Sequence, residues 1–416
     1  MADLLIYSES TSGGAHAGEI DTSKRMMRTL GPGEVRRRLL FEGWRFIHHS
    51  YALVAQAHCL CLLRRDDIDL RFLDYPYYYP EWKSTGGIVP PEQERRLVAL
   101  RSPEPGFRPD ATFSMRAEES DFAPPPSGRK FVFGTPEYRV LQQRQRGGLS
   151  SGAELAPTID IVTPSRWCAL AYERFGIDAP RIHVVPHGID PAVLRADPPR
   201  RAAARAALRL DPSDHVFLSV GAMTPNKGID LLLAAFARIA DEQPDVRLVL
   251  KGADGLYPSR EFVKTALSEL PVAARETVVQ RMIYIGGTYS SEKMADLYRA
   301  ADVYAAPYRA EGFNLPVLEA AACAVPVICT AGGPTDEFTE PAFCGRIRSG
   351  LEGTNPSEGY VGDALAPDAD HLAELMAGAM RDRDTWRSMG ERGAEHVHRH
   401  FTWGAVTDVL VANLFG

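Results

Sequence analysis

The 416-residue sequence has no apolar run long enough to cross a bilayer. The best candidate, Ala320 to Cys329, is short and carries Pro326. Met1 to Gly14 has no basic stretch followed by an apolar core, so a secretory signal is not expected. Cysteine is scarce: Cys59, Cys61, Cys168, Cys323, Cys329 and Cys344 form no C-x-x-C pair and no Cys/His cluster with zinc spacing. This argues against a disulfide scaffold and fits a reducing cytoplasm. There is no excess of positive charge either. A net charge of −7 makes a uniformly basic nucleic-acid surface untenable. Also missing are a G-x-G-x-x-G turn after a strand and a G-x(4)-G-K-[ST] loop, which speaks against a dehydrogenase or a P-loop ATPase.

What remains is an ordinary globular composition, 45% hydrophobic and 24% charged, in a chain long enough for two or three domains. Two local basic clusters stand out, Arg36-Arg37-Arg38 and Arg200, Arg201 and Arg205. They read either as solvated helix faces or as contacts to anionic lipid, so peripheral contact with an inner membrane face stays open.

Residues 1–34 give little, beyond a candidate strand at Leu4 to Tyr7 and a turn at Ser12-Gly13-Gly14. From Arg38 the order is strand (Leu39 to Phe41), helix (Ser50 to Leu63), strand (Leu70 to Leu73), the grammar of a parallel sheet under helices. Residues 74–130 are rich in proline and aromatics. Short strands follow at Ala111 to Ser114, Phe131 to Gly134, Ile159 to Thr163 and Arg181 to Val185. Prolines and acids over 190–213 mark a boundary. A second series then begins with strand Val216 to Val220 and amphipathic helix Ile229 to Ala240. Strands at Arg247 to Leu250, Met282 to Ile285, Val303 to Ala305 and Pro326 to Cys329 continue it, with helices at Glu292 to Ala300 and Pro316 to Ala324. His371 to His398 reads as helical. The expected fold is α/β, two doubly wound parallel-sheet domains facing each other, with ligands beyond the carboxyl ends of the strands.

The stretch Glu311-Gly312-Phe313-Asn314-Leu315-Pro316-Val317-Leu318-Glu319 lies between a strand and a helix. Pro316 suits a first helical turn. The amides of Gly312 to Leu315 and the helix dipole make an anion site suited to a diphosphate. Glu311 and Glu319 could accept hydrogen bonds from sugar or ribose hydroxyls. On spacing alone, a capped helix with two exposed glutamates explains the stretch equally well. Gly221 to Gly228 also joins a strand to a helix: Gly221 admits a close ligand, and Lys227 brings a mobile positive charge, or merely a solvated one. Gly332-Gly333 could admit a ligand or simply turn.

With these residues in view, Ala300 to Gly333 resembles the donor-site signature of retaining glycosyltransferase family four, whose E-x(7)-E motif matches Glu311 and Glu319. Ile161 to Gly176, Arg181 to Asp190, Phe217 to Ile239 and Phe401-Thr402-Trp403 resemble further segments of that family. The resemblance implies the GT-B fold, two Rossmann-like domains. An acceptor domain would span residues 1–193, completed by 403–416, and a nucleotide-sugar donor domain residues 194–402. It implies Glu311 beside the donor sugar, backbone contacts from Gly312, Phe313, Asn314 and Leu315, and Glu319 on the ribose. It implies Lys227 on the diphosphate, room for the nucleotide at Gly221, Gly252 and Gly333, and Thr288 near the base. The implied activity is transfer of a hexose-type sugar from a nucleotide-sugar to a hydroxyl of a glycan, lipid or small metabolite, with no metal and no cofactor. The family usually has arginine after the glycine that matches Gly221. Here Ala222 stands there, and the helix-start amides, Arg309 or Lys251 must compensate.

Acceptor-side candidates are His48 and His49, in a loop after the first strand, and Glu137, after another. Each also reads as an ordinary loop residue. The aromatic run Asp74 to Trp82 is either a sugar-stacking or interfacial surface or a satellite core. Competing functions are a catalytically silent nucleotide-sugar binder, a phosphorylase and an epimerase of the same architecture. The two D-x-D matches, Asp67-Ile68-Asp69 and Asp368-Ala369-Asp370, do not follow strands, as a metal-dependent transferase would require.

Overall fold

Strand β1 (Arg37–Gly43) pairs in parallel with β2 (Ile68–Asp74) on one side and β3 (Ala111–Ser114) on the other. The sheet continues through β4 (Arg129–Phe133), β5 (Ile159–Thr163) and β6 (Ile182–Val184), giving the order β2-β1-β3-β4-β5-β6. A second parallel sheet is built from β7 (His215–Val220), β8 (Val246–Lys251), β9 (Met282–Ile285), β10 (Val303–Ala306), β11 (Val327–Thr330) and β12 (Cys344–Ile347), in the order β12-β11-β10-β7-β8-β9. A two-stranded antiparallel ribbon, β13 (Ser349–Gly353) with β14 (Asp363–Pro367), follows. This computed structural model describes residues 36–116, 120–354 and 361–416. The strand and turn read at Leu4 to Tyr7 and Ser12 to Gly14 lie outside the described residues.

Parallel strands are covered on both faces, which is why they read as near-continuous apolar runs. In β8, Val249 packs into one core while Leu248 and Leu250 pack into another on the opposite face. The covering helices are α1 (Ser50–Leu62), α2 (Pro91–Val98), α3 (Arg166–Arg174), α4 (Pro198–Ala207), α5 (Ile229–Ala240), α6 (Ser259–Ser268), α7 (Val272–Arg281), α8 (Ser291–Ala300), α9 (Leu315–Ala322), α10 (Ala369–Arg381), α11 (Arg383–His400) and α12 (Trp403–Phe415).

Several expectations change. The 190–213 boundary contains α4, capped by Asp197, whose carboxylate accepts from the Arg200 amide. Its arginines are engaged in ion pairs: Arg200, still exposed, pairs with Asp296 (2.7 Å), and Arg201 (2.6 Å) and the buried Arg205 (3.2 Å) pair with Asp302, pinning α4 to α8 and the start of β10. His371 to His398 spans two helices, because Asp382 leaves helical geometry (φ −120°, ψ 62°) and caps α11. The aromatic run folds into a satellite core. There Trp82 packs beside Trp44 and Ile47, and the Trp44 indole donates to the Pro76 carbonyl at 2.9 Å.

The last helix returns to the first sheet. Val406, Leu410 and Leu414 of α12 join the core that holds Val54 and Ala55 of α1, and His58 and Thr407 share a hydrogen bond of 2.9 Å. The two passages between the sheets run side by side: the Ile189 amide donates to Phe401 O (2.8 Å) and the Trp403 amide to Ile189 O (3.0 Å). Among the described residues no helix is long and apolar enough to cross a membrane.

Candidate functional site

A cleft of about 1310 Å³ opens between the carboxyl ends of the two sheets. One wall comes from the loops after β7 and β8 and from the start of α9, the other from α1, the loop after β4 and the loop before α1. Carboxyl-end crevices are where open α/β sheets bind ligands.

On the first wall the chain turns sharply after β7. Gly228 takes a left-handed conformation (φ 67°), and a methyl there would sit 1.9 Å from Pro307 O, so only glycine fits. That turn presents Lys227. Its Nζ lies 2.9 Å from Glu311 Oε1 and 3.5 Å from Glu137 Oε1. Burial alone would lower the ammonium, but Glu137 and Glu311 outweigh it and hold the group above its ordinary range. Burial pushes Glu311 up, against the pull of Lys227. Asn226 steadies the arrangement, donating to Glu137 Oε2 (3.0 Å) and Ala310 O (3.1 Å).

Helix α9 starts at the base of this wall. Asn314 caps it in the left-handed region (φ 74°), which asparagine tolerates better than most residues. Pro316 has no N–H and the Val317 amide donates to Asn314 O at 3.1 Å, which leaves the Leu315 amide as the first-turn donor, and the dipole adds positive potential where it points. Glu319 lies farther along α9, accepts from Tyr298 Oη at 2.6 Å, and is pushed up to about 7 by burial. Phe313 is buried, its ring stacked on that of Phe338 at 4.6 Å.

The opposite wall approaches closely. Ser165 Oγ donates to Gly312 O at 2.7 Å, and a methyl on Gly312 would come 2.9 Å from Thr135 Cβ. His48 Nε2 lies 2.7 Å from Tyr289 O. His49 caps α1, its Nδ1 accepting from the Tyr51 amide (3.2 Å), inside the aromatic cluster of Trp44, Trp82 and Tyr257, where burial lowers it to about 4.

The cleft thus gathers Gly221, Lys227, Gly252, Glu311, Gly312, Phe313, Asn314, Leu315, Glu319, His48, His49 and Glu137. Thr288 and Gly333 are not among its lining residues. A methyl on Gly333 would meet Tyr308 Oη at 2.4 Å, and one on Gly252 would meet Tyr284 Oη at 2.2 Å, so both glycines make room for a tyrosine. At Gly221 only Lys227 Cγ, at 3.9 Å, would be met, which leaves open space for a ligand. Of the two D-x-D matches, Asp67 pairs with Arg65 (3.1 Å) and Asp368 caps α10. Among the described residues no group of three or more His, Cys, Asp or Glu could hold a metal ion.

Sequence reasoning passed over Tyr298, Asn226 and Ser165, which carry no local motif; only the neighbour Lys227 points to Asn226. It also passed over His187, which lines the cleft with its ring 4.9 Å from that of Phe313.

Residues 200–396 match the family Glycosyl transferases group 1. A D-inositol 3-phosphate glycosyltransferase of Kineococcus radiotolerans is 32% identical over 300 residues, covering 70% of this chain and 60% of that relative. Residues 200–396 thus belong to the group 1 glycosyltransferases. Another relative of the same name, from Segniliparus rotundus, is 34% identical over 242 residues, 58% of this chain and 48% of its own length. The chain therefore spans roughly half of the curated relatives it matches. Among solved structures, the sucrose-phosphate synthase of Thermosynechococcus elongatus superposes with a TM-score of 0.63 at 18% identity, over 91% of this chain and 99% of that one. Anabaena HepE in complex with UDP-glucose gives a TM-score of 0.64 at 15% identity, over 91% and 99%. The chain shares the GT-B fold of these structures.

Proposed function

We propose that the chain transfers a hexose-type sugar from a nucleotide-sugar to an acceptor hydroxyl, with retained configuration and without a metal. The donor half would be residues 194–402, and the acceptor half 1–193 with 403–416. One observation carries the reading. Lys227, Glu311 and the start of α9 converge on one spot, with Glu319 farther along the same helix and Glu137 facing them from the opposite wall.

Breaking the bond between sugar carbon and phosphate oxygen leaves an oxocarbenium-like sugar and a diphosphate of growing charge. Lys227 and the start of α9 stand where that charge develops and need not reorganise to meet it. Glu311 would accept hydrogen bonds from the sugar hydroxyls, and Glu319 from the ribose pair. The acceptor oxygen forms the new bond on the face the diphosphate leaves, and its proton passes to the departing phosphate oxygen. No protein nucleophile is needed. His48 and Glu137 face the space where an acceptor would enter, which an unidentified glycan, lipid-linked molecule or small metabolite could fill.

The test is thermal stability with UDP-, GDP-, ADP- and dTDP-sugars, with and without EDTA, for the wild type and Glu319→Ala. UDP-glucose, present in the Anabaena neighbour, and inositol 3-phosphate, in the name of the relatives, are the first pair to try in a turnover assay. One nucleotide should raise the melting temperature of the wild type in EDTA, by mass action, and leave the variant unmoved. No response to any of the four removes the reading.

A further inference from the structure

The donor wall of the cleft has a shortage of available positive charge. Lys227 is already held by Glu311 and Glu137, and Arg309 is tied to Asp230 at 2.6 Å. Ala222, which follows Gly221, brings no charge. A nucleoside diphosphate carries at least two negative charges into this space.

One further cation lines the same wall. Lys251 ends β8, in register with Val220 of β7, and its carbonyl accepts from the Gly221 amide at 3.0 Å. Its side chain therefore starts beside the loop that bears Lys227. The residue is 4% exposed yet lines the cleft. Its Nζ donates to Gly252 O at 2.5 Å and stands 5.4 Å from the centre of the Tyr289 ring. Among the described residues no carboxylate forms an ion pair with it; Asp254 acts only through its field. A buried ammonium without a carboxylate is costly, and an anion entering beside it would offset that cost.

We propose that Lys251 is the cation that receives the phosphate chain of the donor, supplementing Lys227. This rests on the glycosyltransferase reading of the same cleft. Four titratable or charged groups surround it: His48 before α1, Asp254 after β8, Tyr289 before α8, and Lys293 over the other part of the Tyr289 ring at 4.3 Å. Burial lowers the Lys251 ammonium to about 8, with Asp254 pulling the other way. A bound phosphate restores its charge, so binding takes up a proton where the free group is partly neutral, from about pH 8 upward.

The experiment is calorimetric titration of the wild type, Lys251→Met and Lys251→Arg. The ligands are the nucleoside diphosphate that stabilises the wild type and the matching nucleoside, at about pH 8.5 in two buffers of different ionisation enthalpy. Lys251→Met should bind the diphosphate about tenfold or more weaker, keep its affinity for the nucleoside, and lose the proton uptake. Lys251→Arg, always charged, should keep the affinity and also lose the uptake. If Lys251→Met fails to fold, the arginine variant alone decides through its proton count. Wild-type affinity in Lys251→Met, or proton uptake that persists in either variant, overturns the assignment and leaves the transferase reading standing. A wild type that binds no nucleotide overturns both.

Discussion

Lys227 and Glu137 meet across the cleft, Nζ 3.5 Å from Oε1, one from the loop after β7 and the other from the loop after β4. The contact joins the two halves. On the proposed function a donor diphosphate would compete with Glu137 for Lys227, and a bound donor would free that carboxylate for an acceptor hydroxyl. Glu137→Gln should bind nucleotide two- to threefold tighter, by roughly 0.5 kcal/mol for one half-buried pair at a long 3.5 Å contact, while the acceptor KM rises. Nucleotide titration with acceptor kinetics reads both; a variant weaker for nucleotide would contradict the competition.

Lys227→Met removes the point charge facing the leaving group. The turnover number should fall about 10²- to 10³-fold, as for loss of one preorganised donor in other sites. The substitution also leaves Glu311 and Glu137 without their cation. The stability deficit of the variant should therefore be larger at about pH 8, above the raised Glu311, than at about pH 5, where Glu311 holds a proton. Melting curves at the two values check the sign.

Glu319 is pushed up to about 7 by burial. Between its ordinary pKa and 7 the folded state binds more protons than the unfolded chain, so the residue costs stability as pH rises through this window. Glu319→Gln should match the wild type at about pH 4.5. At about pH 8 it should be more stable, on the order of 1 kcal/mol or some 2 °C, while keeping an acceptor for Tyr298. It should also lose most of the nucleotide-induced shift. A variant less stable than the wild type at the higher pH would contradict this account.

Gly228→Ala places a methyl 1.9 Å from Pro307 O at φ 67°. The turn must move, and Lys227 with it. A loss of about 2 kcal/mol or more is expected, with activity falling further than stability alone explains. Chemical denaturation beside residual activity separates the two effects.

The parallel strands were legible because burial on both faces leaves unbroken apolar runs such as Phe131 to Phe133 and Val327 to Cys329. The candidate stretch at the start of α9 could be picked out because its glycine, proline and two glutamates lie within nine residues of the chain, 311 to 319. What escaped depends on distance or on local polarity. Helix α7 has little amphipathic period, and α4 was hidden by the prolines that start it. Asp382 breaks a helical stretch through its backbone angles, which no spacing displays. Thr288 and Gly333 were placed by resemblance, but the lining of the cleft runs past them. Tyr298 on Glu319, Ser165 on Gly312 and Glu137 on Lys227 join segments whose separation leaves no trace in either sequence neighbourhood.

The adjoining backbone passages at Ile189 and Phe401 to Trp403 have a mechanical meaning. A single covalent link would let the halves swivel in any direction. Tied together by the hydrogen bonds at Ile189, the two passages restrain how one half can turn against the other more than either would alone.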